Sequence, residues 1–297
     1  MWSSIIRPLV LFFLLLSIVN FPVNSQARDL PQILEAGVLR HLGIPYANFI
    51  TGSGDGLDAE LMQGFANYIG VRYQFVETSW SEVFGDLTGR HARRGEHGAE
   101  LLGKTPVKGD VIANGMTVLS WREDVVNFSK PTFPSSVWLI ARAESTLQPI
   151  TPSGFIENDI FRVKSMLGGH SVLALKNTCL DPALYHMSET NAEVHLPKTS
   201  LKLNEMAPAI LNKEAEATLL DVPDALIALE KWPGQLKVVG PISTNQVMGA
   251  AFRKDSPQLQ EEFNRYLTMI WKSGVYKKMV EKYYPAVFFY YADFFEN

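Results

Sequence analysis

The chain has 297 residues, 46% of them hydrophobic and 20% charged, with glycine and proline in ordinary numbers. That balance excludes a disordered or low-complexity chain, and the length suggests roughly two domains of about 150 residues. A formal net charge of −4 argues against nucleic acid, whose partners carry a basic face.

The first 27 residues read as an export leader rather than as fold. "MWSSIIRP" carries Arg7, Leu9 to Val19 is an uncharged apolar run, and Ser25 and Ala27 are small residues before a cut that makes Arg28 the mature start. The apolar run is shorter than the ~20 residues of a spanning helix. Removing the leader takes away Arg7 and leaves a charge of −5. Cys179 is the only cysteine, so no internal disulfide can form and the core must suffice without staples. Exported and unanchored, the chain is expected in a periplasm.

From Arg28 onward, short apolar runs alternate with amphipathic segments. "GVLRHLGIPYA" predicts a strand. Leu57, Leu61, Phe65 and Tyr68 or Ile69 recur at helical spacing, closed by Gly70. "VRYQFVET" and "DVIANGMT" predict strands. Strand, helix, strand repeats imply right-handed crossovers. Gly89 to Gly109 holds five Lys/Arg against two Glu and reads as a solvated surface loop with a short helix. Its His91, Glu96 and His97 lack the fixed spacing of metal ligands, so no metal is expected.

"TFPSSVWLIARAES" reads as a connection into a strand, and "GHSVLALKNTCLDPALY" as a strand, a loop and a helix start capped by Asp181. "LNEMAPAILNKEAEATLLDVPDALIALEKW" reads as helix, strand, helix, and "NQVMGAAFRK" as a strand. Ser256 and Pro257 open a strong amphipathic helix that breaks at Gly274. No repeat of solenoid period is visible. The tail "AVFFYYADFFEN" either packs back on the body or offers an aromatic patch to a partner.

Four segments in register carry a resemblance. "GLDAELMQGFANYIGV" resembles the G-[FY]-D-[VI]-D-L segment of the family-3 extracellular solute-binding proteins, the periplasmic receptors for polar amino acids. "DVIANGMTVLSWREDVVNFSKP", "EATLLDVPDAL" and "GVYKKMVEKYYP" are similar to three further motifs of that family. The resemblance implies an α/β fold of the two-lobed periplasmic binding protein type (type II), each lobe a mixed sheet flanked by helices, with two hinge strands. Lobe 1 is expected at 28–133 and 246–297 and lobe 2 at 134–245, with hinges near "TFPSS" and "STNQV".

In that family the arginine of the second motif takes the ligand's α-carboxylate, which implies Arg122 here. A planar guanidinium makes two parallel charge-assisted bonds to a carboxylate, where lysine is only a point charge. The competing reading is a surface arginine paired with Glu123 or Asp124. Thr117 would add a hydroxyl and an amide, and Gly115 would leave the backbone clear. Asp221 matches the family's ammonium-binding aspartate and is also a good helix cap. Trp80 stands where the family sets an aromatic against the ligand side chain, with the core as the alternative, and Tyr46 is a similar candidate. Asn177, Thr178 and Cys179 stand where the family has a Gly-Thr-Thr-like loop, so Thr178 is the lobe 2 candidate. Leu119 and Trp121 replace a usual Thr and Glu, and the segment from Gly89 to Gly109 is an insertion.

The implied function is a receptor for a small carboxylate, an amino acid by the resemblance, delivered to an inner-membrane ABC permease or sensor by cleft closure. No enzyme activity and no cofactor are expected, because no nucleophile, base and orienter constellation is visible. One alternative is a binding-protein-fold enzyme such as a cyclohexadienyl dehydratase, which needs a general acid; Glu77, Glu82 and Lys176 lie near cleft segments without forming a pair. The other is an orphan member of the family with a ligand that is not an amino acid, as the departures at 177–179, Leu119 and Trp121 imply. A related fold serves as the non-catalytic half of lytic transglycosylases, which is not expected here because the chain ends before any second domain.

Overall fold

A computed structural model describes residues 28–52, 54–197 and 201–296; the leader read at 1–27 lies outside them. The chain runs α1 (Leu30–Ala36), β1 (Val38–Gly43), α2 (Leu57–Tyr68), β2 (Arg72–Glu77), α3 (Val83–Thr88), β3 (Arg90–Arg94), β4 (Ala99–Lys104), β5 (Val111–Ile112), α4 (Ser120–Glu123), β6 (Val126–Phe128), β7 (Phe133–Ser135) and β8 (Val137–Arg142). It continues with α5 (Ile156–Ser165), β9 (Ser171–Leu173), β10 (Glu193–His195), α6 (Met206–Leu211), β11 (Ala217–Asp221), α7 (Val222–Lys231), β12 (Leu236–Pro241), β13 (Gln246–Met248), β14 (Ala251–Arg253), α8 (Pro257–Lys272), α9 (Val275–Tyr283), α10 (Val287–Tyr290) and α11 (Ala292–Glu296).

Two five-stranded sheets organise these elements, in the orders β2-β1-β5-β14-β6 and β10-β9-β11-β8-β12. In the first, β2, β1 and β5 are parallel, and β14 returns from late in the chain to pair antiparallel with β5 and β6. Helix α2 turns Leu57, Leu61, Phe65 and Ala66 inward, all fully buried, and Gly70 ends it at φ +75° as the spacing predicts. Asp110 aligns β5 with β1: its buried carboxylate accepts from Arg40 Nη2 at 2.7 Å, from the Arg40 amide at 2.9 Å and from Arg28 Nε at 3.1 Å.

In the second sheet β8 lies antiparallel between β11 and β12, while β9 runs parallel to β10 and β11. All five residues of β11 are buried, as expected for a central strand covered on both faces. The sheets are joined by the antiparallel pair β7·β13, with Pro134 opposite Val247. These are the segments expected to hinge. The aromatic tail packs back. Phe295 stacks on Trp271 at 6.0 Å, Tyr290 meets Trp138 edge-on at 5.1 Å, and Tyr291 Oη lies 2.8 Å from Ser136 Oγ.

Four local readings are revised. The segment from Gly89 to Gly109 is an antiparallel hairpin, β3·β4, not a loop with a short helix. Its turn is closed by Gly95 N–H donating to Gly98 O at 2.7 Å, and Arg93 faces Glu100 across the strands. The "DVIANGMT" strand is only two residues long, and "NQVMGAAFRK" is two strands, because β13 serves the hinge and β14 the first sheet. Ser256 stands at the N-cap of α8 but its side chain makes no cap bond; instead the Asp29 carboxylate, far away in sequence, accepts from Leu259 N–H at 2.8 Å and Gln258 N–H at 3.2 Å.

Candidate functional site

The candidate residues converge because each follows the C-terminal end of a strand, where α/β sheets gather ligand groups. Tyr46 follows β1, Trp80 follows β2, and Thr117 and Arg122 follow β5. Thr178 and Cys179 follow β9, and Asp221 ends β11. Arg122, Tyr46, Thr117 and Asp221 are 3%, 3%, 2% and 1% exposed, so all four are closed off from solvent.

Arg122 is no surface arginine. Its Nη1 donates to Thr117 O at 2.8 Å, and its Nε has no partner among the described residues. Among the described residues no carboxylate stands within ion-pair distance of it. The indole rings of Trp80 and Trp121 lie 5.7 and 5.5 Å from the guanidinium carbon, within cation–π range. Burial depresses the guanidinium's proton affinity, against the opposing influence of Cys179, Tyr185, Tyr46 and Asp221. Arginine nevertheless keeps its proton. The result is a buried cation facing the second sheet.

Thr117 bridges to Met248 of β13, and Val118 N–H donates to Val247 O at 2.8 Å. The arginine segment is thereby tied to a hinge strand. Gly115 has φ +64°, and a Cβ there would meet the Phe49 ring at 2.3 Å. Its amide donates to Asp58 Oδ2 at 2.6 Å, so glycine is required by a packed ring and a left-handed turn.

Asp221 caps α7 weakly, accepting from Asp224 N–H at 3.4 Å. Its other oxygen, Oδ2, accepts from Tyr46 Oη at 2.5 Å and Cys179 Sγ at 3.5 Å. Burial pushes the Asp221 carboxyl upward, and burial together with the Asp221 charge pushes Asp224 well above its usual range. Trp80 is half-buried, its ring 6.0 Å from that of Tyr46. Thr178 turns its hydroxyl inward on its own loop, donating to Leu175 O at 2.7 Å and accepting from Leu180 N–H at 3.0 Å.

Sequence reasoning passed over three members of the cluster. Tyr185 Oη donates to Cys179 O at 2.5 Å, and Gln246 Nε2 reaches Tyr185 Oη at 3.4 Å while its Oε1 has no partner among the described residues. Asp224 is the third. No spacing in the chain links Tyr185 or Gln246 to Arg122. Cys179 and Trp121 stood out only as departures from a motif. Glu77 and Lys176 are exposed, and Glu82 lies 3.7 Å from His91. Among the described residues no group of three or more His, Cys, Asp or Glu is arranged to hold a metal, and no helix is long and apolar enough to cross a membrane. A cavity of about 910 Å³ lies between the hinge and the tail, lined by Trp138, Ile150, Gln246 and Phe289. Two carboxylates line it, Asp159 and Asp293; Asp159 is already bonded to Ser153 N–H at 2.9 Å.

Residues 105–286 match the bacterial extracellular solute-binding proteins, family 3. The chain is 25% identical over 233 residues to a membrane-bound lytic murein transglycosylase F of Desulfosudis oleivorans, covering 78% of this chain and 44% of that protein. It thus spans less than half the length of that relative. It is 23% identical over 267 residues to the probable amino-acid-binding protein YxeM of Bacillus subtilis, covering 88% and 87% of the two chains. Among solved structures, a mutant of ArgBP from T. maritima superimposes with a TM-score of 0.65 at 23% identity, over 86% of this chain and 99% of that one. The ancestral amino acid-binding protein AncCDT-1, a precursor of cyclohexadienyl dehydratase, gives 0.65 at 22% identity, over 86% and 98%. The fold is that of the two-lobed binding proteins. With the family pattern spanning more than half of the sequence, including Arg122 and Asp221, the chain belongs to family 3 of the bacterial extracellular solute-binding proteins.

Proposed function

We propose that this chain is a periplasmic receptor, not an enzyme, that takes a small carboxylate solute between its lobes and releases it to an inner-membrane ABC permease or sensor. The observation that carries the reading is the Arg122 guanidinium, buried and without a carboxylate partner among the described residues. A buried cation costs several kcal/mol unless paired, and a ligand carboxylate is the partner that fits a planar fork. Amino acids are the first class to test, since two relatives carry that class in their names.

In this reading lobe 1 spans 28–133 and 246–297, lobe 2 spans 134–245, and residues 1–27 are the export leader. Arg122 and the Thr117 hydroxyl take the carboxylate, Asp221 faces an ammonium, Trp80 and Tyr46 line the side-chain end, and Thr178 belongs to the lobe 2 rim. Gly115 supports the site through Phe49 and Asp58 rather than by touching solute. Closure about β7 and β13 is favoured because the solute binds the closed form better than the open one.

A thermal-shift screen of amino acids and small carboxylates on the exported form tests this. At a ligand concentration 100-fold above Kd the gain is about 2.7 kcal/mol. A solute that stabilises the protein and is recovered unchanged supports the receptor; no stabilisation by any of them counts against it. One observation favours a second reading, a lyase: Asp221 and Asp224 are adjacent buried carboxyls pushed upward, the condition of a general acid. Product from prephenate or arogenate would select it.

A further inference from the structure

Tyr46 and Asp221 come from opposite sheets and meet inside the cleft, the phenol donating to Asp221 Oδ2 at 2.5 Å. The Tyr46 ring is held in place by Phe49, stacked at 5.9 Å, and by the edge contact with Trp80 at 6.0 Å. The Cys179 thiol donates to the same carboxylate oxygen at 3.5 Å. Burial pushes both the Tyr46 hydroxyl and the Cys179 thiol well above their ordinary range, so both stay protonated and act as donors. The two ends of the site are therefore unequal. The carboxylate that an ammonium needs is already bonded by the protein's own groups, while Arg122 Nε has no partner among the described residues.

We infer that Tyr46 is a tethered competitor for Asp221, so that the site ranks solutes by their carboxylate and discriminates little between an α-amino acid and the same acid without its amine. This rests on the carboxylate-receptor reading above. An ammonium that reaches Asp221 gains a charge-assisted bond but displaces another from Tyr46. The displaced bond also spans the cleft, so losing it loosens closure. At Arg122 the one internal acceptor is the Thr117 carbonyl, on Nη1, so among the described residues a carboxylate meets no charged rival there. Replacing Tyr46 with Phe keeps the ring contacts and removes the competing donor alone.

The test is calorimetric titration of the wild type, Tyr46→Phe and Arg122→Ala with matched pairs: L-glutamate and glutarate, L-leucine and isocaproate, L-norleucine and hexanoate, L-arginine and guanidinovalerate. For a pair that binds, the two Kd values on the wild type should agree within about threefold. Tyr46→Phe should raise the ratio of amino-form to amine-free affinity by about tenfold or more, the worth of one charge-assisted bond, while the amine-free form, which only loses the cleft-spanning bond, binds no more tightly than to the wild type. An amino form favoured by the wild type more than about tenfold, or an amine contribution untouched by Tyr46→Phe, overturns the inference. If Arg122→Ala still abolishes binding in that case, the receptor reading stands and only the role of Tyr46 falls. If Arg122→Ala binds like the wild type, or no probe binds the wild type, both fall.

Discussion

Arg94, at the tip of the hairpin β3·β4, places its guanidinium 3.5 Å from the carboxylate of Asp181 on the second sheet's side of the cleft. Among the described residues it is the one ion pair that crosses from one sheet's side to the other. Asp181 also accepts from Asn177 N–H at 3.0 Å and Ala183 N–H at 2.9 Å, and so shapes the loop that carries Thr178 and Cys179. The hairpin tip is anchored on its own side by Ala99 N–H, which donates to Asp124 Oδ2 at 3.0 Å. The hairpin thus reaches from the first sheet's side to the second as a clasp.

Arg94→Ala should speed release of bound solute about two- to fivefold and leave association nearly unchanged, the worth of ~0.5–1 kcal/mol for a pair whose arginine is part-exposed. Stopped-flow dissociation reads this directly. The wild type should also release faster as salt rises, and the variant should not. Equal release rates and equal salt dependence would remove the clasp.

Arg122→Met should stabilise the protein in the absence of solute while it destroys binding. A buried guanidinium lacking a carboxylate costs desolvation free energy, and an apolar replacement of similar volume recovers about 1–3 kcal/mol. The lost bond to Thr117 O subtracts from that gain. Urea unfolding of the solute-free proteins measures it, and a clear loss of stability would mean that Arg122 is a structural residue.

Asp58 carries a pH signature. It is 3% exposed, and burial raises its carboxyl from 3.8 to about 7 against the pull of the Gly115 amide. Its folded pKa exceeds its unfolded one, so its contribution is full below about pH 4 and is lost as pH rises through about 7, at up to ~1.4 kcal/mol per pH unit. Asp58→Asn keeps an acceptor for Gly115 and cannot ionise. The stability difference between wild type and variant should therefore shift in the variant's favour from pH 5 toward 8. Parallel pH profiles would contradict the raised carboxyl.

The aromatic tail should contribute to stability through the hinge. Phe295 stacks on Trp271, lies 4.6 Å from Phe288 and meets Phe133 edge-on at 6.4 Å, and Phe133 begins β7. Since Phe295 is half-buried, Phe295→Ala should cost ~1–2 kcal/mol, less than a full core deletion. An unchanged melting temperature would show that the tail is dispensable.

Much of this was legible where local pattern and tertiary role coincide. The helical spacing of Leu57, Leu61 and Phe65 located α2, and the apolar run ending in Asp221 located a central strand and its terminal carboxylate. Arg122 could be singled out because its neighbours repeat a family motif. What escaped depends on distant parts meeting. Asp29 caps α8 from the other end of the chain, and Tyr185 and Gln246 join the site only once the sheets face each other. The hairpin was missed because basic residues and glycines outweighed the Arg93 and Glu100 pairing that marks two facing strands. Tyr46 was read as a wall for a ligand side chain, with no sign that its hydroxyl bonds Asp221.

Calorimetric titration of the wild type and Arg122→Ala with any carboxylate solute found to stabilise the protein tests the central claim most directly. The expected result is one site per chain on the wild type and a loss of ~2–5 kcal/mol, enough to abolish measurable binding, in the variant. Equal affinity in the two proteins would contradict the assignment of the carboxylate to Arg122.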